Sequence, residues 1–460
     1  MFVDRKTELR QLEKRYRSKT AEMLIVYGRR RVGKTRLLQE FSHNKKSIFF
    51  LADLSPDNFQ TNRFTEVLYR YAGDALLKSQ PLMSWDAIFE YLARLASKRK
   101  LLVIIDEFPY LLAVNPAIAS ILQRYWDEKL AASKIYLILC GSYISVMENK
   151  VLGHRSPLYG RRSSQLMLLP FDFFGFTQFF KRMPITNLIE YYAVCGGIPA
   201  YICQFKGSGL WRELRQNAMQ QDAYLYEEIR FLLNEELREP HNYFALLQAI
   251  AFGKTRLNEI SQMAKIETSK AIRYLNILKE LRIINRVVPV TEKKPHKSRR
   301  GIYKISDNFT RFWFRYIYPN RNFIESNEQT YVINKKIKPT FNTHVSVTFE
   351  DICTNYLEHK YVFERIGRWW HKDVEIDIVG VRSSGEYFFG ECKWTKKPVG
   401  MNIVIELLKK IEYFKDNVRG KVDKQRVFLF SKSGYTSECI EKAKSLKIRL
   451  TKLNDLLINS

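Results

Sequence analysis

Short, continuous apolar runs separated by amphipathic stretches dominate the first 165 residues of the chain. Residues 23–27 (MLIVY), 101–105 (LLVII) and 135–140 (IYLILC) each have the length and composition of a strand that is buried on both faces. After the first run, Leu37, Leu38 and Phe41 recur at helical spacing. Buried strands that alternate with helices are typical of a parallel sheet, so the pattern predicts an α/β domain over residues 1–165.

The pattern becomes mainly helical after residue 165. A Phe-rich stretch at 169–180 has the spacing of a core-facing helix. Three short helices are predicted at 243–252, 257–264 and 269–281, with Thr268 or Ser269 as the N-cap of the third. Two strand-like segments, 282–290 and 301–306, flank the charged tip TEKKPHKSRR. Three helices followed by a hairpin predict a winged helix-turn-helix over residues 241–330.

Residues 335–460 are predicted to form a further α/β domain, in which residues 373–394 alternate like two strands joined by a turn. A three-residue loop that ends in Gly385 pairs Arg382 with Glu386. Glu391 then lies opposite Asp377, and Lys393 lies opposite Glu375. A slip of one residue would separate these side chains. The other face is expected to send a set of side chains into the core, namely Ile376, Ile378, Phe388 and Cys392.

Composition narrows the class of partner. The chain has 76 Lys and Arg against 48 Asp and Glu, a formal net charge of +28, and 46% hydrophobic residues. Such a basic surface attracts polyanions, which predicts a nucleic acid partner, with DNA favoured. The longest apolar runs are strand-sized, which argues against a membrane partner. The N-terminus is charged from residue 4, which is not expected of a signal peptide. Six scattered cysteines fit a reducing compartment, so a cytoplasmic protein is expected.

One motif carries most of the chemistry. Gly28, Gly33, Lys34 and Thr35 match G-x-x-x-x-G-K-[ST] between a predicted strand and a helix. Backbone N–H groups and the helix dipole converge there on an anion. We expect Lys34 to reach the phosphates of ATP and Thr35 to bind Mg²⁺. The segment predicted to bind the cofactor comprises Gly28, Arg29, Arg30, Arg31, Val32, Gly33, Lys34, Thr35 and Arg36. The motif does not fix Arg29, Arg30 and Arg31, which also suit a solvated loop surface.

A second acidic element follows the run at 101–105. Asp106 is expected to bind the magnesium shell and Glu107 to orient the attacking water. Ser142, after the third strand, is a candidate phosphate sensor or, alternatively, the cap of the next helix. Arginines that could stabilise charge on the transferred phosphoryl group, from this chain or from a neighbouring copy in a homo-oligomer, are Arg155, Arg161 and Arg162.

Several boxes in this order resemble the archaeal-type ATPases of the AAA+/STAND group: FVDRKTEL at 2–9, the glycine loop, IIDEF, CGS, PLYGRR and GGIPAYI at 196–202. The resemblance implies that Val3, Asp4 and Arg5 begin a segment on the adenine side. It also implies that the stretch around Pro199 belongs to a helical lid over the nucleotide, at residues 166–240. The C-terminal domain of that family is suspected of nuclease ancestry.

The predicted winged helix offers a basic surface. Its third helix would expose Lys270, Arg273, Asn276 and Lys279. Side chains of these types contact phosphates, and Arg273 and Asn276 could read base edges. The wing adds Lys293, Lys294, His296, Lys297, Arg299 and Arg300. The alternative is that the module braces the chain internally.

The last domain resembles the PD-(D/E)xK nuclease fold, through Asp377 and the Glu391-x-Lys393 spacing. Glu350 on the preceding helix matches the frequent extra acid of that fold, while Ile376 replaces the proline. Together with Glu375 these carboxylates suggest an Mg²⁺ or Mn²⁺ site at Asp377 and Glu391. The alternatives are a surface hairpin with cross-strand ion pairs, or an inactive nuclease-like domain in a nucleotide-controlled scaffold with protein partners.

Overall fold

The computed structural model describes residues 2–237, 240–418 and 422–457. Residues 1 and 460, the outer limits of the predicted domains, lie outside this range. The chain divides into two units, residues 1–170 and 171–460. The first corresponds to the predicted 1–165 domain, and the second contains most of the segment predicted as a lid and both of the later predicted domains.

A parallel sheet forms the centre of the first unit. Its strands lie in the order β2-β3-β4-β1-β5, and all pairs are parallel. The strand that ends at Gly141 lies beside the first strand, with Tyr27 opposite Gly141. The strands are β1 (Glu22–Tyr27), β2 (Ser47–Leu51), β3 (Leu101–Asp106), β4 (Ile135–Gly141) and β5 (Ser164–Met167).

The central strands are apolar on both faces because helices cover both faces. Every residue of β1, β3 and β4 is buried. Ile25, Val103 and Leu137 pack in one apolar cluster, and Leu24 and Ile104 pack in another on the opposite face. The helices of this unit are Lys6–Tyr16, Lys34–Ser42, Asp57–Ala72, Leu76–Ser79, Trp85–Lys98, Phe108–Val114, Ile118–Tyr125 and Ile144–Val146.

The second unit begins with helices and a small hairpin. The strands β6 (Ile284–Val287) and β7 (Ile302–Ile305) pair antiparallel after the three helices that the sequence predicts. The N-cap prediction was wrong. Glu267 holds that position without a side-chain bond, and the hydroxyl of Thr268 instead lies 3.2 Å from that of Ser261. The helices up to β7 are Phe173–Thr177, Ile185–Cys195, Pro199–Ile202, Leu210–Ala218, Glu228–Glu236, Pro240–Ala251, Leu257–Ala264 and Thr268–Glu280.

A mixed sheet closes the chain, in the order β12-β11-β10-β9-β8. The pairs β8/β9 and β9/β10 are antiparallel, whereas β10/β11 and β11/β12 are parallel. The strands are β8 (Arg365–His371), β9 (Val374–Val381), β10 (Glu386–Lys393), β11 (Lys424–Ser431) and β12 (Ile448–Lys452). The remaining helices are Asn308–Phe312, Arg321–Glu325, Gln329–Tyr331, Phe341–Lys360, Met401–Asn417 and Ser437–Ser445.

The hairpin of β9 and β10 has the predicted register. Phe389 pairs with Val379 and Gly390 with Ile378, which continues to Asp377 opposite Glu391. The Arg382 amide donates to the Glu386 carbonyl, and Gly385 has a φ of 77°.

The four side chains predicted to enter the core are all buried, but one of them does not share the face of the other three. Ile376 packs with Trp369 and Phe389, while Ile378 packs in a different cluster with Phe388 and Cys392. The reason is a register shift between β8 and β9 at Gly367/Trp369, which interrupts the alternation of β9.

The larger of two apolar clusters in the described part of the second unit extends from Phe171 to Leu456. The Phe-rich stretch at 169–180 contributes to it, as expected, and so do the aromatic residues between 309 and 317. It also encloses His344, whose Nε2 lies 2.9 Å from the Ala193 carbonyl and whose ring lies beside Phe312 and Tyr316. Burial, reinforced by the nearby Arg311 charge, lowers the pKa of His344 well below its usual value.

Stability should therefore decrease toward acidic pH because of His344. Below a pH of about 6.5 the unfolded chain protonates this imidazole and the native chain does not, at a cost of about 1.4 kcal/mol per pH unit. We expect His344→Gln to have a shallower loss of unfolding free energy between about pH 6.5 and pH 5.5 in urea titrations. The exposed His296→Gln is the control and should retain the wild-type slope; equal slopes for both variants would contradict the assignment.

Candidate functional site

The glycine loop after β1 has a path that only its glycines permit. Gly28 and Gly33 have φ angles of 153° and 92°. A Cβ on Gly28 would lie 2.3 Å from the Leu168 carbonyl oxygen. Gly33 precedes the helix Lys34–Ser42, so the orphan N–H groups of the first helical turn face the loop. The two glycines are therefore required by geometry, as the motif predicts.

Lys34 places a buried cation inside this loop. Its side chain is 4% exposed, and its Nζ donates to the carbonyls of Gly28 at 2.9 Å and Arg29 at 3.1 Å. Burial lowers the pKa of Lys34, although the charges of Glu107 and Asp106 oppose the change. A buried ammonium group bonded to neutral carbonyls is well suited to an anionic ligand. The loop thus fits a nucleotide phosphate chain.

The acidic pair at the end of β3 lies against the loop. The Thr35 hydroxyl donates to Asp106 Oδ2 at 2.6 Å, and the Glu107 amide donates to Asp106 Oδ1 at 3.0 Å. The Ser142 hydroxyl donates to Glu107 Oε1 at 2.5 Å. The suggestion that Ser142 caps the next helix was wrong, because Tyr143 is the N-cap there. The oxygens of Thr35 and Asp106 are those that could bind Mg²⁺.

The loop arginines are not a solvated surface, which corrects the alternative interpretation. Arg30 donates to the hydroxyls of Tyr110 at 2.7 Å and Tyr143 at 2.6 Å, and its guanidinium lies 4.7 Å from the Tyr143 ring centre. Arg29 and Arg31 are half-buried. Sequence reasoning missed both tyrosines. Their positions, shortly after Asp106 and directly after Ser142, were the available signal.

The N-terminal segment contacts the same loop. The Arg5 guanidinium donates to the carbonyls of Val32 at 3.4 Å and Leu169 at 2.7 Å, and Val3 is buried. Arg36 differs, because it points outward and lies 3.6 Å from Glu40. Pro199 begins a short helix in the second unit.

The candidate phosphate-stabilising arginines have separate environments. Arg161 makes an ion pair with Asp127 and donates to the Pro157 carbonyl. Arg162 donates to the Leu152 carbonyl at 3.0 Å, and Arg155 is exposed. No contact with the loop or with the acidic pair is seen for these three arginines in the described part of the chain.

The basic surface of the second unit is exposed as predicted. The polar face of helix Thr268–Glu280 presents the predicted set to solvent: Lys270, Arg273, Asn276 and Lys279. The segment between β6 and β7 exposes Lys293, Lys294, His296, Lys297, Arg299 and Arg300. Arg300 is also paired with Glu292.

The carboxylates near β9 and β10 are neutralised by cationic side chains. Arg368 lies 2.5 Å from Glu350 and 3.1 Å from Glu375. Burial raises the pKa of Glu350 despite Arg368, and burial together with the Glu391 charge raises that of Asp377. Asp377 also accepts the Cys392 amide at 2.8 Å. Arg368 was missed because no motif predicts it.

Two lysines hold Glu391, which is 2% exposed. Lys393 Nζ lies 2.7 Å and Lys410 Nζ 3.0 Å from Glu391 Oε1. Among the residues that the structure describes, no three His, Cys, Asp or Glu side chains gather as metal ligands. Ammonium groups therefore neutralise Glu391 here, and the Mg²⁺ or Mn²⁺ site at Asp377 and Glu391 stays a prediction.

Two expectations from the sequence concern membrane-spanning segments and the cysteines. Over the described residues, no helix combines the length and apolar character needed to cross a bilayer. The six cysteines are free thiols.

Removing Arg368 should destabilise the second unit. Arg368→Met leaves the half-buried Glu350 without its ion-pair partner. Because the pKa of Glu350 is already raised, the carboxyl can take up a proton, so we expect a loss of about 1–3 kcal/mol of unfolding free energy. Chemical denaturation followed by tryptophan fluorescence measures the loss. Arg365→Met, on the same strand with an exposed side chain, is the matched control and should cost less than about 1 kcal/mol. Equal losses in both variants would show that Arg368 does not neutralise a buried charge.

Comparisons with known proteins agree with the geometry of the loop. An ATPase domain found predominantly in Archaea matches residues 2–205. A family described as archaea bacterial proteins of unknown function matches residues 313–405. The Walker-type ATPase PABY2304 of Pyrococcus abyssi shares the fold, with 22% identity, 68% of this chain and 96% of that chain covered, and a TM-score of 0.50. The Aeropyrum pernix ORC2 protein is more distant, with 15% identity, 70% and 94% covered, and a TM-score of 0.44.

A curated relative covers most of the sequence. The uncharacterized protein MJECL04 of Methanocaldococcus jannaschii is 36% identical over 407 residues, which are 86% of this chain and 88% of that protein. The resemblance to archaeal-type ATPases is therefore confirmed, whereas nuclease identity of the last domain is not shown. The chain belongs to the same family as MJECL04, and its residues 2–205 match an ATPase domain found predominantly in Archaea.

Proposed function

We propose that this protein binds and hydrolyses ATP with Mg²⁺ and engages DNA through its basic winged helix. The observation that carries the first part is the 2.6 Å hydrogen bond between Thr35 and Asp106. It joins the glycine loop to the end of β3, as a site for a phosphate-bound cation requires. Bound Mg²⁺ would neutralise charge on the phosphates, with Thr35 and Asp106 as the residues that hold it.

Each remaining residue of the site has a defined task in this proposal. Lys34 supplies a fixed positive charge where charge develops on the phosphate chain. Glu107 accepts a proton from, or orients, the attacking water, and Ser142 keeps its carboxylate in place. Arg5 and Val3 lie on the adenine side, and Arg161 or Arg162 assists from this chain or from a neighbouring copy.

Charge and exposure support the DNA part of the proposal. Three helices and a hairpin place the polar face of Thr268–Glu280 and the segment between β6 and β7 in solvent. These surfaces carry lysines and arginines on a chain of net charge +28. In a winged helix these are the elements that contact the major groove and the phosphates.

We propose that the last domain has a PD-(D/E)xK-like fold and does not cleave DNA. The hairpin with Asp377 opposite Glu391 supports the fold, and the two lysines on Glu391 argue against a metal. This agrees with the alternative of an inactive nuclease-like domain. It leaves DNA binding and ATP hydrolysis as the functions to test.

Lys34→Ala should abolish ATP hydrolysis, because the loop loses the cation that stabilises developing charge. Release of inorganic phosphate measures the activity. Glu107→Gln should retain ATP binding in calorimetry, with turnover reduced by about two to four orders of magnitude.

Lys98→Ala is the matched control for this experiment, because Lys98 is exposed on a helix of the same unit. It should hydrolyse ATP at the wild-type rate. Full activity of Lys34→Ala would refute the assignment of the loop.

Arg273→Ala should weaken binding of a labelled DNA duplex by roughly tenfold, because it removes a side chain that contacts bases or phosphates. Fluorescence anisotropy at fixed salt gives the dissociation constant. Lys442→Ala, which removes an exposed charge elsewhere, should leave it unchanged. Failure of the wild-type protein to bind any DNA would reject the nucleic acid function, while unchanged binding by Arg273→Ala would reject only this helix.

A further inference from the structure

A basic cleft lies in the second unit beside the hairpin of β6 and β7. Its volume is about 750 Å³, and it is bounded by three parts of the chain. These are the start of helix Leu257–Ala264, the end of the β6–β7 segment, and the turn between β8 and β9. We call it the hairpin cleft. It brings together residues of the predicted winged helix and of the C-terminal domain.

The lining of the hairpin cleft is strongly cationic. Its only carboxylate among the described lining residues is Glu259, which accepts the amides of Thr255 and Arg256, each at 3.2 Å. That carboxylate therefore accepts backbone amides at the start of helix Leu257–Ala264, and among the described residues it makes no ion pair with the cleft cations. The cationic lining residues are Arg256, Arg286, Arg299, Arg300 and Lys372.

Two of these arginines build the wall of the cleft. Arg286 donates to the carbonyls of Pro295, at 3.1 Å, and Ser298, so it orders the chain between the strands. Its guanidinium lies directly on Gly301, where a Cβ would be 2.3 Å from Arg286 Cζ. Arg300 donates to the Trp370 carbonyl at 3.4 Å and so links this segment to β8.

The other three cations face solvent. Arg256, Arg299 and Lys372 are exposed, and within the described ranges none of them makes an ion pair. Lys372 has a φ of 50°, because it occupies the tight turn between β8 and β9. Cations that three separate elements hold around one open cleft match an extended chain of phosphates better than a single phosphate.

Among the described lining residues, no exposed aromatic ring is available for a nucleobase to stack on. Trp370, the lining residue with the largest ring, is 8% exposed, so its face is not available for stacking. Recognition there would rest on charge and on the backbone, without sequence preference. The exposed Lys293, Lys294 and Lys297 lie on the same segment between β6 and β7, which makes the basic surface continuous with the cleft along the chain.

We propose that the hairpin cleft binds the phosphodiester backbone of nucleic acid, and that the C-terminal domain contributes Lys372 to this contact. The inference rests on the proposed DNA-binding function and extends it beyond helix Thr268–Glu280. It gives the C-terminal domain a binding role that requires no metal. It also assigns Arg256, which no sequence motif singles out, to the nucleic acid surface.

The test compares two double variants of the full chain. Arg256→Gln with Lys372→Gln removes two cleft charges, and Lys442→Gln with Lys444→Gln removes two exposed charges from helix Ser437–Ser445. All four side chains are exposed, so both proteins are expected to fold, and thermal unfolding checks this. A labelled DNA duplex and the same single strand are titrated by fluorescence anisotropy over a series of salt concentrations.

The cleft variant should bind DNA roughly tenfold more weakly, and its log–log salt slope should decrease by about two, one for each phosphate that it no longer neutralises. The control variant should keep the wild-type affinity and slope. If the wild type binds DNA, Arg273→Ala weakens it and the cleft variant does not, the cleft inference fails and the proposed function stands. If the wild type binds neither probe, both fail. Equal weakening in the two double variants would mean a net-charge effect and would also overturn the cleft.

Discussion

A single buried ammonium group sets the geometry of the first unit. Lys34 lies inside the glycine loop, where its bonded partners are the neutral carbonyls of Gly28 and Arg29. A buried charge of this kind is costly unless opposite charge is close. The end of β3 supplies that charge through Asp106 and Glu107. The loop, the start of the following helix and the carboxyl edge of the sheet are therefore held together by one electrostatic requirement.

The second unit also compensates its buried charges, but it does so with ion pairs between side chains of neighbouring elements. Its buried and half-buried acids are paired with cations from neighbouring elements, such as Lys410 beside the buried Glu391 and Arg368 beside the half-buried Glu350. Burial lowers the pKa of Lys304 and Arg311, and the Asp351 charge opposes the change for both. Charges that are paired inside the unit are not available to a partner. Among the described residues, the exposed lysines and arginines of the β6–β7 segment are unpaired for the most part, and in the proposed function they would be among the side chains that contact a polyanion.

The features that could be predicted are those that depend on residues close together in the sequence. The glycine loop depends on residues 28–35, and the β9/β10 register depends on a three-residue turn that ends in Gly385, so both could be predicted. Side-chain partners from distant parts of the chain could not. Arg368 and Lys410 carry no motif, and only the tertiary fold places them on Glu350 and Glu391. Ile376 was assigned to the wrong face because β9 contains an extra residue: three positions from Ile376 to Val379 lie opposite two positions from Gly367 to Trp369, which no local pattern indicates.

The two residues that follow β4 have a mechanical consequence. Ser142 holds the Glu107 carboxylate, and its neighbour Tyr143 holds the Arg30 guanidinium of the glycine loop. Adjacent residues share one peptide plane, so a rotation of this short segment moves both groups together. The Glu107 carboxylate, proposed to orient the attacking water, and Arg30 of the glycine loop are consequently coupled to each other. Nucleotide turnover and the conformation of the glycine loop would then change together. This short segment alone would couple them.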